Sequence, residues 1–249
     1  MNRIYLFDVD GTLSKNGIIP TSAIHALEAL KRQGNLVMLA TGRCLGQMKD
    51  ILSLIQIDGA ILNNGALVIV KNKVLFSSSI SNQTILDMLS NKMHLAFLTK
   101  DEYLRIEEHE IFQEFVQHFN LSCPKLVDGK YLLSQNVYSI GLYGKNIEEA
   151  DLKKYPELRF VQVCPIGYDV MNQGIHKASG MNALRKEYPM AEIIAFGDNY
   201  NDIELLKEAD ISVAMANAPM EVKNCSDYVT LDPLEDGIYF ALKEYLKSI

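Results

Sequence analysis

Three strand-length apolar runs each stop abruptly at a polar motif, and no other feature of the chain constrains its fold as strongly. Ile4–Val9 is ended by acidic residues and a glycine. Asn35–Ala40 is followed at once by Thr41-Gly42-Arg43, and Glu192–Phe196 by Gly197-Asp198. Short continuous apolar runs bounded by turn residues read as buried strands. Between them lie stretches with helical spacing. Thr21–Gln33 repeats Ala23, Ile24, Ala26, Leu27 and Leu30, with Thr21 or Ser22 as its N-cap and Gly34 placed to end it. Strands alternating with helices imply a parallel, doubly wound, Rossmann-like α/β sheet. In such sheets chemistry gathers beyond the carboxyl ends of the strands, where all three motifs begin.

Further short strands are expected at Ala60–Leu62, Ala66–Val70, Lys73–Phe76, Ile211–Ala214 and Tyr228–Thr230. Asn64-Gly65 and Asn72-Lys73 suit the tight turns between the early ones. Helices are expected over Lys177–Tyr188, Asp202–Ala209 and Gly237–Lys247. The texture changes between residues 82 and 168. Strand candidates His94–Thr99, Val137–Tyr143 and Arg159–Gln162 alternate there with helices Ser81–Ser90, Glu107–Phe119 and Ile147–Lys154, and none of these strands ends in a carboxylate cluster. The expected organisation is a catalytic core of residues 1–81 and 169–249, interrupted by an inserted α/β cap domain of residues 82–168.

The 249 residues are 48% hydrophobic and 22% charged, a composition able to bury a full core. A formal charge of −7 argues against a broad nucleic-acid surface, which needs a basic face. It leaves room for a small phosphorylated substrate, because one metal ion and one lysine make a local positive pocket. Cys44, Cys123, Cys164 and Cys225 are far apart, without a Cys-x-x-Cys pair, and read as reduced thiols of a cytoplasmic protein. No apolar run approaches the roughly 20 residues of a membrane span. A soluble monomer or small homo-oligomer is expected.

Asp8 and Asp10, two positions apart at a strand end, point to one face if the chain stays extended. Crowded carboxylates persist when a cation sits between them or one holds a proton, and an all-oxygen set favours Mg²⁺ over zinc. Gly11 permits a sharp exit. Alone, Asp-x-Asp-Gly reads equally well as a solvated acidic turn. A second acidic strand end, Gly197-Asp198-Asn199-Tyr200-Asn201-Asp202, makes a divalent site the better reading, although Asp202 also suits a helix cap. Thr41 with the Gly42 backbone suits a phosphate oxygen at a helix start. Lys177, in Gly174-Ile175-His176-Lys177, is either an exposed lysine or the charge that neutralises phosphate and quiets Asp8 and Asp198.

Together these segments resemble the haloacid dehalogenase superfamily. The residues that carry the likeness are Asp8-Val9-Asp10-Gly11-Thr12-Leu13, Leu39-Ala40-Thr41-Gly42-Arg43, Gly174-x-x-Lys177 and Gly197-Asp198-x-x-Asn201-Asp202. The tail Val213-Ala214-Met215-Ala216-Asn217-Ala218, with Asp227-Tyr228-Val229-Thr230, Glu235-Asp236-Gly237 and the position of the insertion, resembles the Cof-type subgroup with an α/β cap (class IIB). The resemblance implies a phosphomonoesterase acting on a small phosphorylated metabolite. It implies Asp8 as the nucleophile that forms an aspartyl-phosphate and Asp10 as acid, then base. It also implies Mg²⁺ held by Asp8, the Asp10 backbone carbonyl and Asp198, with Asp202 close behind, and a phosphoryl group bound by Val9, Thr41, Gly42, Lys177 and Asn201. A phosphomutase on the same core is the nearest alternative. A phospho-acceptor or binding module without turnover is the other, and an acid/base at position 10 argues against it.

Arg43 and Asn64, just beyond strand ends, are candidates for the substrate's rim, with a turn role for Asn64 equally open. His176 reads as structural despite adjoining Lys177. Phe112, Phe115, Val116 and Phe119 form an apolar stripe that reads as cap core, and Met215 as core filling.

Overall fold

Ile4–Phe7 (β1) lies inside an eight-stranded sheet, and all four of its residues are fully buried. The computed structural model describes residues 3–91, 93–118 and 122–249. The sheet also contains Leu36–Ala40 (β2), Gly59–Leu62 (β3), Leu67–Val70 (β4) and Lys73–Ser77 (β5). Other strands come from the far end of the chain and are numbered after those of the insertion.

The insertion contributes His94–Leu98 (β6), Tyr103–Arg105 (β7), Lys125–Leu126 (β8), Ser139–Tyr143 (β9), Leu158–Cys164 (β10) and Gly167–Asn172 (β11). The chain then returns with Ile193–Gly197 (β12), Ile211–Ala214 (β13) and Tyr228–Val229 (β14). The large sheet runs β14-β13-β12-β1-β2-β3-β4-β5. β1 is parallel to both neighbours, with Ile4 opposite Ile193 on one side and Leu36 on the other. β12–β13, β13–β14 and β2–β3 are also parallel, and β3–β4 is antiparallel. The chain therefore winds outward from β1 in both directions, and the strand order reverses between β1 and β12. That reversal opens a crevice at the strands' carboxyl ends.

Local chemistry fixes the element ends. Helix Thr21–Arg32 is closed by Gly34 at φ +81°, with Gly34 N–H on Lys31 O (2.9 Å) and Asn35 N–H on Leu30 O (3.2 Å). Its N-cap position is Pro20, one residue before the expected Thr21, and carries no side-chain cap; Ser22 donates to Asp236 instead. Asn63, Asn64 and Gly65 all have positive φ, as do Lys71 and Asn72 at the next turn, so both expected turns are tight and left-handed.

The chain divides into two units. One contains residues 1–42, 49–76 and 176–249; the other contains 43–48 and 77–175. The second has its own sheet, β10-β11-β9-β6-β7-β8, antiparallel except between β7 and β8. Both faces of this sheet are covered. Leu95 and Phe97 of β6 enter one apolar cluster with Ile85, Met88 and Leu142, while Ala96 and Leu98 enter another with Phe112 and Phe115. That alternation is the period of two of a strand. The apolar stripe of helix Glu110–His118 thus fills a core, as expected of Phe112, Phe115 and Val116; Phe119 lies outside the described residues.

The expected boundaries at 82 and 168 move outward to 77 and 175. A cut at 168 falls inside β11, a strand the sequence did not reveal because polar Asp169 and Asn172 break its apolar run; its pairing with β9 and β10 ties it to the insertion. Arg43–Met48 also belongs to the second unit, through Leu45 N–H on Lys100 O (2.9 Å) and Cys44 in its apolar cluster. Arg43, expected at the substrate's rim, donates there to Gln47 O at 3.0 Å.

Candidate active site

β1 ends at Phe7, so Asp8 is the first residue beyond the strand and is 6% exposed. The chain then folds back tightly: Leu13 N–H donates to Asp8 O (3.2 Å), Ser14 N–H to Val9 O (2.8 Å) and Gly11 N–H to Ser14 O (2.7 Å). This turn exposes Asp10 while Asp8 and Val9 remain buried. Gly11 sits at φ +91°, and a Cβ there would come 2.2 Å from Asp198 Oδ2. Only glycine allows the loop to pass so close to the second acidic strand end.

Lys177 begins helix Lys177–Glu187 and is 1% exposed. Its Nζ donates to Asp8 Oδ1 at 2.6 Å and to Asp202 Oδ1 at 2.7 Å. A buried lysine must be paired, and here two carboxylates pair it. Burial works against the ammonium, but the attraction of Asp202 and Asp8 prevails and holds Lys177 charged well above its ordinary range. His176 caps that helix, accepting from Ser179 N–H while Ser179 Oγ accepts from His176 N–H, which gives it the structural role expected. Met215 is fully buried.

Asp202 is fully buried, and its Oδ2 accepts from the backbone N–H of Asp198 (3.0 Å) and Asn199 (3.1 Å). It therefore acts at once as a turn cap and as the second partner of Lys177. Asp198 follows β12, and its Oδ1 accepts from Thr12 Oγ1 at 2.8 Å. Thr41, just past β2, is 1% exposed, donates its N–H to Ile61 O and accepts Asn64 N–H at 3.0 Å. Asn64 is buried in the turn after β3; its Oδ1 accepts from Asn201 Nδ2 at 3.3 Å, and its carboxamide lies where a Gly42 Cβ would meet it at 3.1 Å. Of the candidate site residues read from the sequence, all but Arg43 lie in one unit, beyond the ends of β1, β2, β3 and β12 or at the start of the Lys177 helix.

Asp8, Asp198 and Asp202 each offer a carboxylate oxygen, all within 4.8 Å of one another. Three carboxylates face one ammonium, so with all three ionised the cluster carries two uncompensated negative charges in a buried place. Desolvation raises Asp8 well above the usual carboxylate range; Lys177 opposes this, and Asp202, Asp198 and Asp10 add to it. Desolvation and then Asp202 push Asp198 up to about 6. An all-oxygen, surplus-negative set fits a hard divalent cation of the Mg²⁺ class.

A family profile described as haloacid dehalogenase-like hydrolase matches residues 5–242. The chain belongs to the haloacid dehalogenase-like hydrolases. A putative phosphatase of Bacillus subtilis, YkrA, is 29% identical over 98% of this chain and 97% of its own length. A hypothetical protein of Geobacillus kaustophilus HTA426 superposes with a TM-score of 0.91 at 29% identity, covering 100% of both chains. A subclass IIB sugar phosphatase of the superfamily superposes with a TM-score of 0.81 at 27% identity, again over 100% of both. These relatives support a Cof-type phosphatase with a mixed α/β fold and a parallel-sheet core.

Within this family frame, Asn217 emerges as a site residue to which the sequence assigned no role. Its Nδ2 donates to Gly11 O at 3.0 Å and to Asp198 Oδ2 at 2.9 Å. It lies 206 positions from Gly11, so no local spacing pointed to that contact. Thr12 was legible only as part of a motif. Among the described residues, no helix is long and apolar enough to cross a membrane.

Proposed function

We propose that this phosphatase is a Mg²⁺-dependent phosphomonoesterase that hydrolyses a small phosphorylated metabolite, a sugar phosphate or similar, through an aspartyl-phosphate on Asp8. The observation that carries the reading is the buried pair of Lys177 and Asp8, 2.6 Å apart, beside two further carboxylates and two residues before an exposed Asp10. Lys177 holds the Asp8 carboxylate in one orientation, and its charge offsets the approach of an anionic phosphoryl group. An oxygen of Asp8 attacks phosphorus in line, the bond to the leaving alkoxide breaks, and Asp10 delivers the proton the alkoxide needs. Asp10 then takes a proton from water, which attacks the aspartyl-phosphate, releases inorganic phosphate and restores Asp8.

Thr41, Gly42, Asn201 and the Val9 backbone are the groups proposed to bind the phosphoryl oxygens. The residues that would hold the cation are Asp8, the Asp10 backbone carbonyl and Asp198. Asp202, with its oxygens engaged by Lys177 and two backbone amides, stands behind them. When bound, the cation supplies charge neutralisation for the phosphoryl oxygens. The inserted unit is proposed to act as a cap that selects the leaving group. Four unpaired cysteines support a cytoplasmic setting.

Rapid quench of enzyme mixed with a radiolabelled sugar phosphate tests the mechanism. Label on Asp8, absent in Asp8→Asn, is the expected result; phosphate release by Asp8→Asn at the native rate would sink it. A phosphomutase would form an isomer of the sugar phosphate, whereas the hydrolase releases phosphate steadily without one.

A further inference from the structure

We propose that Asn217 is a positioning residue for the cation site, holding the Asp198 carboxylate in the orientation that receives the ion. This rests on the reading of Asp8 and Asp198 as cation ligands. Both hydrogens of the Asn217 amide are used, one on Asp198 Oδ2 at 2.9 Å and one on Gly11 O at 3.0 Å. The flipped carboxamide would set oxygen against oxygen at both contacts, so the donor assignment is fixed by its surroundings. The other Asp198 oxygen accepts from Thr12 Oγ1 at 2.8 Å. Each oxygen of Asp198 is thus held by a neutral donor, whereas the ammonium of Lys177 bonds Asp8 and Asp202.

A neutral donor fixes the direction of a carboxylate without cancelling its charge. Asp198 therefore keeps its negative charge for a cation, which a lysine or arginine at 217 would have displaced. The bond to Gly11 does a second thing. It ties the loop carrying Asp10 to the segment after β13, so that two acidic strand ends from opposite ends of the chain keep one spacing. Gly11 reinforces this, since any side chain there would strike Asp198. Groups that orient metal ligands set metal affinity by 10- to 100-fold in general.

Calorimetric titration of Mg²⁺ into chelator-treated protein tests this without turnover. Wild type is expected to bind, Asp198→Asn to lose binding, and Asn217→Ala to bind about 10- to 100-fold more weakly. Asn217→Leu keeps the volume without the donors and should match Asn217→Ala; it decides the question if the smaller side chain prevents folding. Asn217→Gln, with both donors on a longer arm, should recover part of the affinity, which a purely structural role would not require. Native affinity in Asn217→Ala or Asn217→Leu, with Asp198→Asn silent, overturns the role of Asn217 alone. Equal binding by wild type and Asp198→Asn overturns the cation reading, and this inference with it.

Discussion

Lys177 and Asp8 are 169 positions apart in the chain, yet their side chains meet at 2.6 Å in a largely buried place. Asp202 shares the same ammonium at 2.7 Å. The lysine is ion-paired with both carboxylates, so one ammonium holds two of the three acids of the cluster together.

Lys177→Met keeps the volume and removes the charge. Breaking a buried pair leaves uncompensated charge and costs about 3–5 kcal/mol. Chemical denaturation of the metal-free protein should show that loss, and phosphatase activity should fall by about 10²–10³ or more.

Asp10 is exposed, whereas Asp8 is buried. Asp10→Ala is therefore expected to fold normally. It should accumulate phosphorylated Asp8 from substrates with good leaving groups, because hydrolysis of the intermediate loses its base while attack remains possible. Acid quench followed by mass measurement of the intact protein reads this directly, and its failure to show an adduct would remove Asp10 from the second step.

Gly11→Ala forces a side chain into a φ of +91° and onto Asp198. Strain of that kind costs about 1–3 kcal/mol, and the displaced loop carries Asp10. Lower stability in denaturant together with lost phosphate release is expected; a variant that is stable and active would show that the loop adapts.

Asp198 gives a pH dependence of known sign. Its folded value of about 6 lies above the ordinary 3.8, chiefly through burial and then Asp202. Without metal, ionising it disfavours the folded state. The stability it withholds at pH 7 returns as pH falls through about 6 and is complete below 3.8. Asp198→Asn should therefore stabilise the metal-free protein at pH 7.5, by about 3 kcal/mol at most, and much less at pH 4. Thermal melts at the two pH values check this, and added Mg²⁺ should reverse the ranking by stabilising wild type alone.

The core was legible because its strands are buried on both faces. β1, β2 and β12 read as unbroken apolar runs, and the polar residues that stop them mark the carboxyl ends where a doubly wound sheet does its chemistry. The insertion was harder to delimit. β11 mixes Asp169 and Asn172 with Val170 and Met171, so its strand character depends on pairing with β9 and β10. Arg43 follows Thr41-Gly42 in sequence, but contacts made by its neighbours to residues 100 and 101 place it in the other unit.

By itself the sequence determined the kind of chemistry. Two acidic strand ends, a threonine and a lysine, each at the boundary of an element, are properties of residue type and local spacing. The tertiary structure alone decided who holds whom. Lys177 bridges Asp8 to Asp202 and leaves Asp198 to Thr12 and Asn217. Those choices depend on which strands lie next to one another and on a glycine that lets two loops touch. Hydrogen-bond geometry acts over about 3 Å of space, and no spacing along the chain encodes it.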